Sequence, residues 1–264
     1  PAELAAVRAF CERLGFDVVL PRALRPAHPV HEAASLLDPP ADHPYDVRPA
    51  TDARPCLHAF FRWARLGDVF EHDRIPYVEW PYVALIVALV QVGLLSLLML
   101  LGPLLLRRAA RAPAPVFRAL GLAFMLLEMA WLARATVRLG SPALAASMVI
   151  GGFLVGSGVG SLLSERLGRP LRLAALLAAV LPALGYLVLP DSALAVGLLA
   201  AFVALPMGVP FASALSRLPV ASVPWALAVN GCASVFADAL SPLLATTVSI
   251  DATLGLGAVL YLAV

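Results

Sequence analysis

The sequence contains no lysine and few charged side chains of any kind. All 19 basic residues in the 264-residue chain are arginines, and charged residues make up only 14% of it. A soluble domain usually carries about 25% charged residues. The formal net charge of +2 also gives no electrostatic reason to expect a nucleic-acid partner. This composition excludes an ordinary soluble domain, and we attribute the absence of lysine to genome composition.

Cysteine is scarce as well, and the chain's cysteines stand far apart: Cys11, Cys56 and Cys232. No Ser-His-Asp or Cys-His arrangement can be assembled from the sequence. The histidines His28, His31 and His43 lie in a proline-rich stretch, where the H-x2-H spacing is too short and lacks a second ligand pair for a structural zinc site. We therefore expect a solvated loop and no metal, with a metal site as the alternative.

Hydrophobic sequence dominates what is present. Hydrophobic residues make up 61% of the chain, and the mean hydropathy is +0.88. Apolar segments occupy residues 80–105, 116–138, 142–163, 171–190, 192–215, 225–248 and 252–264. Most are long enough to cross about 30 Å of hydrocarbon at 1.5 Å per residue. The sequence predicts an all-α polytopic membrane helix bundle of about seven spans over residues 80–264.

The N-terminal part has a different pattern. Residues 2–15 read as an amphipathic helix, and residues 16–20 read as a short buried strand. One helix and one strand cannot close a hydrophobic core. We expect residues 1–48 to be the tail of a soluble α/β, Rossmann-like domain with a Pro/His-rich loop, and the rest of that domain to precede Pro1 in a longer polypeptide.

Residues 49–79 are predicted to be a membrane-interface segment. The stretch PATDARPCLHAFFRW combines charges with aromatic rings. We expect Thr51 to cap a turn and Asp52 to pair with Arg54. The aromatic side chains are expected at lipid-headgroup depth: Phe60, Phe61 and Trp63.

Arginine is distributed unevenly between the predicted loops. One set of loops carries Arg107, Arg108, Arg111, Arg118, Arg166, Arg169, Arg172 and Arg217. The opposite set carries Arg134 and Arg138 at a helix end, together with Asp191 and Asp251. The positive-inside rule places the first set in the cytoplasm. Residues 1–79 then lie on the outer face of the membrane, and Arg134 and Arg138 extend toward the interface.

Few polar residues interrupt the apolar segments. Glu128 lies in the second segment, and Asn230, Ser234 and Asp238 follow one another at intervals of four in the sixth. Because that spacing keeps residues on one helix face, we expect these side chains and Glu128 to face the bundle interior. Intramembrane carboxylates suggest a proton or cation pathway or a polar ligand site. The alternative is a purely structural clamp between helices.

Small residues and prolines mark two further segments. Gly152, Gly156 and Gly160 recur every four residues, which predicts close helix packing. A phosphate-binding glycine loop would need a preceding strand, and the sequence offers none here. In residues 205–213, Pro206 and Pro210 predict a kinked or broken helix.

Five runs occur in the order YDVRPATDARPCLHAFFRW, GLAFMLLEMAWLARATVRLGSP, SGVGSLLSERL, PMGVPFASAL and PWALAVNGCASVFADAL. Together they resemble the C-terminal half of bacterial spermidine-synthase-like membrane proteins, from about residue 14 to the end. In that family a soluble aminopropyltransferase/methyltransferase-type domain is fused to membrane helices. The resemblance therefore implies that the 49–79 segment contains the hinge, at residues 49–63, between the soluble domain and the first span. The chain departs from the family at Ala53, where a second acid is usual, and at Arg134, where glutamine is usual.

The resemblance implies that a decarboxylated-SAM or SAM-type nucleoside binds in the missing N-terminal domain, so this chain holds no cofactor and no catalytic residue. The leading hypothesis is a non-catalytic scaffold or binding module in the bacterial inner membrane. Its expected partners are the lipid bilayer, the missing N-terminal part and other membrane-protein subunits. Two alternatives stay open: part of a membrane-bound polyamine or SAM-type transferase, and a transporter-like bundle favoured by PMGVPF and the intramembrane acids.

The arginine asymmetry predicts the accessibility of single cysteines. In a background without Cys11, Cys56 and Cys232, Ser192→Cys should react with an impermeant thiol reagent added outside the cell. Ala110→Cys should react only after the membrane is permeabilised. The reverse labelling pattern would contradict both the orientation and the external position of residues 1–79.

Overall fold

The computed structural model describes Phe10, Arg13, Ala84, Leu98 and the ranges 51–54, 86–96, 114–166 and 171–264. The predicted α/β tail, apart from Phe10 and Arg13, lies outside the described residues. So do the Pro/His-rich loop and the aromatic residues Phe60, Phe61 and Trp63. The chain divides into two compact units, one of Pro1–Ala50 with Leu57–Glu71 and one of Thr51–Cys56 with His72–Val264. Nearly all described residues belong to the second unit.

The second unit is helical wherever it forms a regular element in the described residues. Its helices are α1 (Ile86–Ser96), α2 (Ala114–Leu139), α3 (Pro142–Arg166), α4 (Leu171–Leu187), α5 (Ala193–Leu215), α6 (Val223–Thr247) and α7 (Ile250–Leu262), with a short 3₁₀ turn at Val220–Ser222. The predicted helical bundle is confirmed for this part of the chain.

Among the residues that the structure describes, four helical segments are long and apolar enough to cross a membrane. They cover Pro115–Leu139, Pro142–Arg166, Ala193–Leu215 and Val220–Thr247. The other described apolar helices are shorter, at Ile86–Ser96, Leu173–Leu187 and Ile250–Leu262. The length and composition of these four segments are typical of helices that span a lipid bilayer.

Local sequence explains where two of the connections fall. Gly140 has a φ of 63°, a left-handed conformation that suits glycine, and it ends α2. Before α7, the Ser249 hydroxyl accepts a hydrogen bond of 3.0 Å from the backbone N–H of Ala252. This N-cap satisfies one of the donors that every helix start leaves free.

Helix α2 is the centre of the bundle, since it packs against α3, α5, α6 and α7. Its most deeply buried large side chain is Trp131, whose indole N–H donates a 3.0 Å hydrogen bond to the carbonyl of Pro182 in α4. The ring of Phe153 from α3 meets both Trp131 and Phe124 edge-on, with centroid distances of 5.7 and 5.9 Å. Aromatic packing thus joins α2 to α3.

The most extensive helix contact joins α3 and α5 and depends on glycine. Gly152, Gly156 and Gly160 are buried there, facing Gly197, Ala201 and Leu205 in the same order along α5, so the two helices run parallel. A Cβ at Gly156 would collide with the Ala201 carbonyl. We call this contact the glycine seam; it is the small-residue packing that lets two membrane helices touch backbone to backbone.

The glycine seam predicts that the same substitution has different effects on stability at Gly156 and at Gly158. Gly156→Leu should destabilise the bundle by about 3 kcal/mol, because the new side chain has no space against the α5 backbone. Gly158→Leu is the matched control, since nothing lies within 4 Å of a Cβ there. Unfolding in a detergent titration measures both. Similar stabilities for the two variants would contradict the seam.

Candidate functional site

A cavity of about 340 Å³ lies among α2, α3, α5, α6 and α7. We call it the central cavity. It is lined by Leu120, Phe124, Leu154, Ser157, Ser161, Met207, Gly208, Phe211, Asn230, Ser234 and Tyr261. Its volume is within the usual range for small-molecule sites, and its lining is mostly apolar with a few polar groups, as such sites usually are.

The polar side chains that line the central cavity differ in how many hydrogen bonds they make within the protein. The hydroxyl of Ser157 donates to the Phe153 carbonyl at 2.6 Å, and that of Ser161 donates to the Gly208 carbonyl at 3.1 Å. The Asn230 carboxamide lines the cavity and makes no side-chain hydrogen bond within the described part of the chain. It is therefore the lining group with the most capacity left to bind a ligand.

Helix α5 forms one wall of the central cavity in spite of its prolines. It runs as one α-helix from Ala193 to Leu215 through Pro206 and Pro210. Of the two predicted outcomes, the break does not occur and the kink stays a prediction. Between the prolines, Gly208 has no side chain, and the Ser157 carbonyl of α3 approaches it closely. Met207 and Phe211, four residues apart, present their side chains to the cavity.

The two intramembrane acids lie one helical turn beyond the cavity lining. Glu128 follows Phe124 by four residues, and Asp238 follows Ser234 by four. Glu128 is 5% exposed, and within the described residues its carboxyl group has no hydrogen-bond partner. Asp238 lies within electrostatic range of the Glu128 carboxyl group. The structure thus brings the acids to the same level of the bundle.

The prediction that Asp238 faces the bundle interior is wrong, because its side chain is exposed. An α-helix has 3.6 residues per turn, so each step of four residues rotates the side chain by about 40°. Over the eight residues from Asn230 to Asp238 the rotation reaches about 80°. Asn230 and Ser234 therefore line the cavity, whereas Asp238 has turned away from the cavity lining and is exposed.

A second polar cluster joins the hinge segment to the bundle. Residues 51–54 form a tight turn closed by hydrogen bonds between Thr51 and Arg54, and the Ala53 carbonyl accepts a 2.9 Å bond from the N–H of Ile250. Asp52 lies 4.0 Å from Arg134. The hinge turn is thereby held at the start of α7 and against α2.

Arg134 connects that turn to α4 and α7. Its guanidinium lies 5.4 Å from the ring centre of Tyr186, and the Tyr186 hydroxyl donates a 2.7 Å hydrogen bond to Asp251. The Arg134 side chain is 18% exposed, and its guanidinium reaches Asp52, whose side chain is 75% exposed. The extension of Arg134 toward the membrane interface stays a prediction. Arg138, whose side chain is 38% exposed, pairs with Asp191 at 3.5 Å.

The structure separates the predicted site residues that it describes into four places. Asn230 and Ser234 line the central cavity, Glu128 and Asp238 lie one turn beyond its lining, the three glycines form the seam, and the hinge turn belongs to the second polar cluster. Sequence reasoning missed four residues that the structure places in these sites: Ser157, Ser161, Tyr186 and Tyr261. Ser157 and Ser161 are four residues apart and each directly follows a seam glycine, a spacing from which they could have been found. The tyrosines have no such pattern.

Comparison of the chain with protein-family models, with curated proteins and with solved structures finds no match.

The surroundings of Glu128 predict an unusual gain in stability. A buried carboxyl group without a partner opposes folding, so Glu128→Met should stabilise the bundle by about 1–3 kcal/mol. Asp238→Asn, on the exposed face, should change stability by less than about 0.5 kcal/mol. Unfolding in mixed detergent measures both. A loss of stability in Glu128→Met would instead support the structural clamp.

Proposed function

We propose that this chain is a membrane-embedded binding module that takes up a small, largely apolar molecule with a hydrogen-bonding group in the central cavity. The observation that carries the proposal is the Asn230 carboxamide, which lines an otherwise mostly apolar space and has no side-chain hydrogen bond in the described part of the chain. An amide offers two donors and an acceptor. Hydrogen bonds from a ligand to these groups would fix its orientation in the cavity and increase its affinity.

The rest of the lining supports a ligand of this kind. Phe124, Phe211 and Met207 offer two aromatic rings and a flexible thioether, which accommodate ligands of different shapes. The Ser157 and Ser161 hydroxyls donate to backbone carbonyls and keep acceptor capacity on their oxygens. None of the lining residues is charged. A neutral molecule that dissolves in the bilayer fits this environment best.

The buried acid favours one further candidate function. Glu128 has no hydrogen-bond partner among the described residues, and it lies one turn beyond the cavity wall. A buried intramembrane carboxyl group is a usual component of proton and ion pathways. A transporter-like bundle is therefore the second candidate, with Glu128 as the residue that binds or transfers the cation.

The wider biological setting is also a proposal. The resemblance to spermidine-synthase-like membrane proteins supports placing the chain in the bacterial inner membrane, as a non-catalytic part of a larger protein or assembly. The arginine distribution supports residues 1–79 on the outer face. A decarboxylated-SAM or SAM-type nucleoside would bind in a domain outside this chain, so that any transferase chemistry would occur there.

Benzophenone is a suitable probe for the central cavity, because it is small and apolar, carries one carbonyl acceptor and crosslinks to nearby C–H bonds under light. We expect photolabelling of the purified chain to concentrate on the peptide that contains Met207 and Phe211. Asn230→Leu should lower that labelling about fivefold, as expected for one lost hydrogen bond. Mass spectrometry of the digested protein locates and quantifies the adducts.

Val235→Leu is the matched control, since Val235 is on the same helix but exposed. It should label like the unchanged chain. Adducts spread evenly over the outer, exposed helix faces would contradict the proposal, as would equal labelling of Met207 in Asn230→Leu and the unchanged chain. Gel filtration of each variant establishes that the comparison is made on folded protein.

A further inference from the structure

A second cavity, of about 300 Å³, lies between α3, α4 and α5, apart from the central cavity. All of its lining residues are apolar or glycine. We call it the outer groove and define it by Leu163, Leu173, Leu177, Phe202 and Val209. The first four of these side chains are 36–59% exposed, so the groove opens to the outside of the bundle. In a membrane that outside is lipid.

The groove ends close to positive charge. Arg166 is the last residue of α3, three residues beyond Leu163, or about 4.5 Å along the helix axis. Since α3 and α5 run parallel, Arg217, which follows α5, lies at the same end of the bundle. Both arginines are exposed. The neighbouring acid in the described residues, Glu165, offsets only part of this charge.

We propose that the outer groove binds an anionic phospholipid, with one acyl chain between α3, α4 and α5 and the headgroup phosphate on Arg166. The apolar lining suits hydrocarbon and offers nothing to a polar ligand. The guanidinium group matches the planar, bidentate geometry that phosphate oxygens accept. An apolar groove that ends near an arginine is complementary to a phospholipid in both polarity and charge.

Charge decides which phospholipid is preferred. An arginine near the membrane surface favours an anionic lipid over a neutral one by about fivefold. Arg217 adds to this preference from the same end of the bundle. The phosphate is common to a lipid headgroup and to a soluble phosphate ester. Only the lipid also has an acyl chain to fill the groove, so an experiment can distinguish a bound lipid from a bound soluble phosphate ester.

The test uses the full chain, purified in detergent and supplied with equal amounts of phosphatidylglycerol and phosphatidylcholine of the same acyl chains. Native mass spectrometry counts the lipids retained. We expect phosphatidylglycerol to be retained at least fivefold over phosphatidylcholine, and Arg166→Gln to lower that ratio about fivefold. Glycerol 3-phosphate, which has the phosphate without the chains, should not displace the lipid.

Two variants keep the test decisive. Leu177→Trp fills the groove from a partly exposed position and should reduce retention of both lipids. Arg138→Gln removes an arginine at the opposite end of the bundle and should leave the lipid ratio unchanged. Equal retention of the two lipids by the unchanged chain overturns the proposal. An unaltered ratio in Arg166→Gln overturns it as well, even if Leu177→Trp fails to fold.

Discussion

The close contact of α3 and α5 is the constraint on which the rest of the bundle depends. At Gly156 and Gly160 the two backbones are so near that a single Cβ has no room, and Gly208 provides the same closeness from the α5 side. In lipid, packing rather than the hydrophobic effect holds helices together, so such contacts carry much of the stability. The central cavity and the outer groove both take part of their walls from these two helices.

The apolar surroundings also determine how polar groups inside the bundle are paired. Without water, a buried polar group must find its partner in the protein. Trp131 does so with the Pro182 carbonyl, and Tyr186 does so with Asp251. Glu128 and Asn230 have no side-chain hydrogen bond in the described residues, and they lie beside or along the central cavity. Their unused capacity is what makes the cavity a candidate for binding rather than a packing defect.

Much of the helical architecture could be predicted from sequence, because long apolar segments leave a chain in lipid few options other than helices. The glycine spacing on α3 indicated a close contact, but it did not identify α5 as the partner. The candidate site was predictable only in part. Asn230 and Ser234 were found from their spacing, whereas Asp238 was misplaced because the rotation of about 40° per step accumulates along the helix.

The sequence by itself determined the class of environment and the positions of the helices, since hydropathy and proline and glycine positions are local properties. Only the tertiary structure decided which residues meet. Tyr186 and Asp251 are 65 positions apart, and Ser161 is 47 from the Gly208 carbonyl it binds. The central cavity takes its walls from five helices at once. The residue pattern of one helix does not specify contacts between helices, because those contacts depend on how closely the other helices can approach.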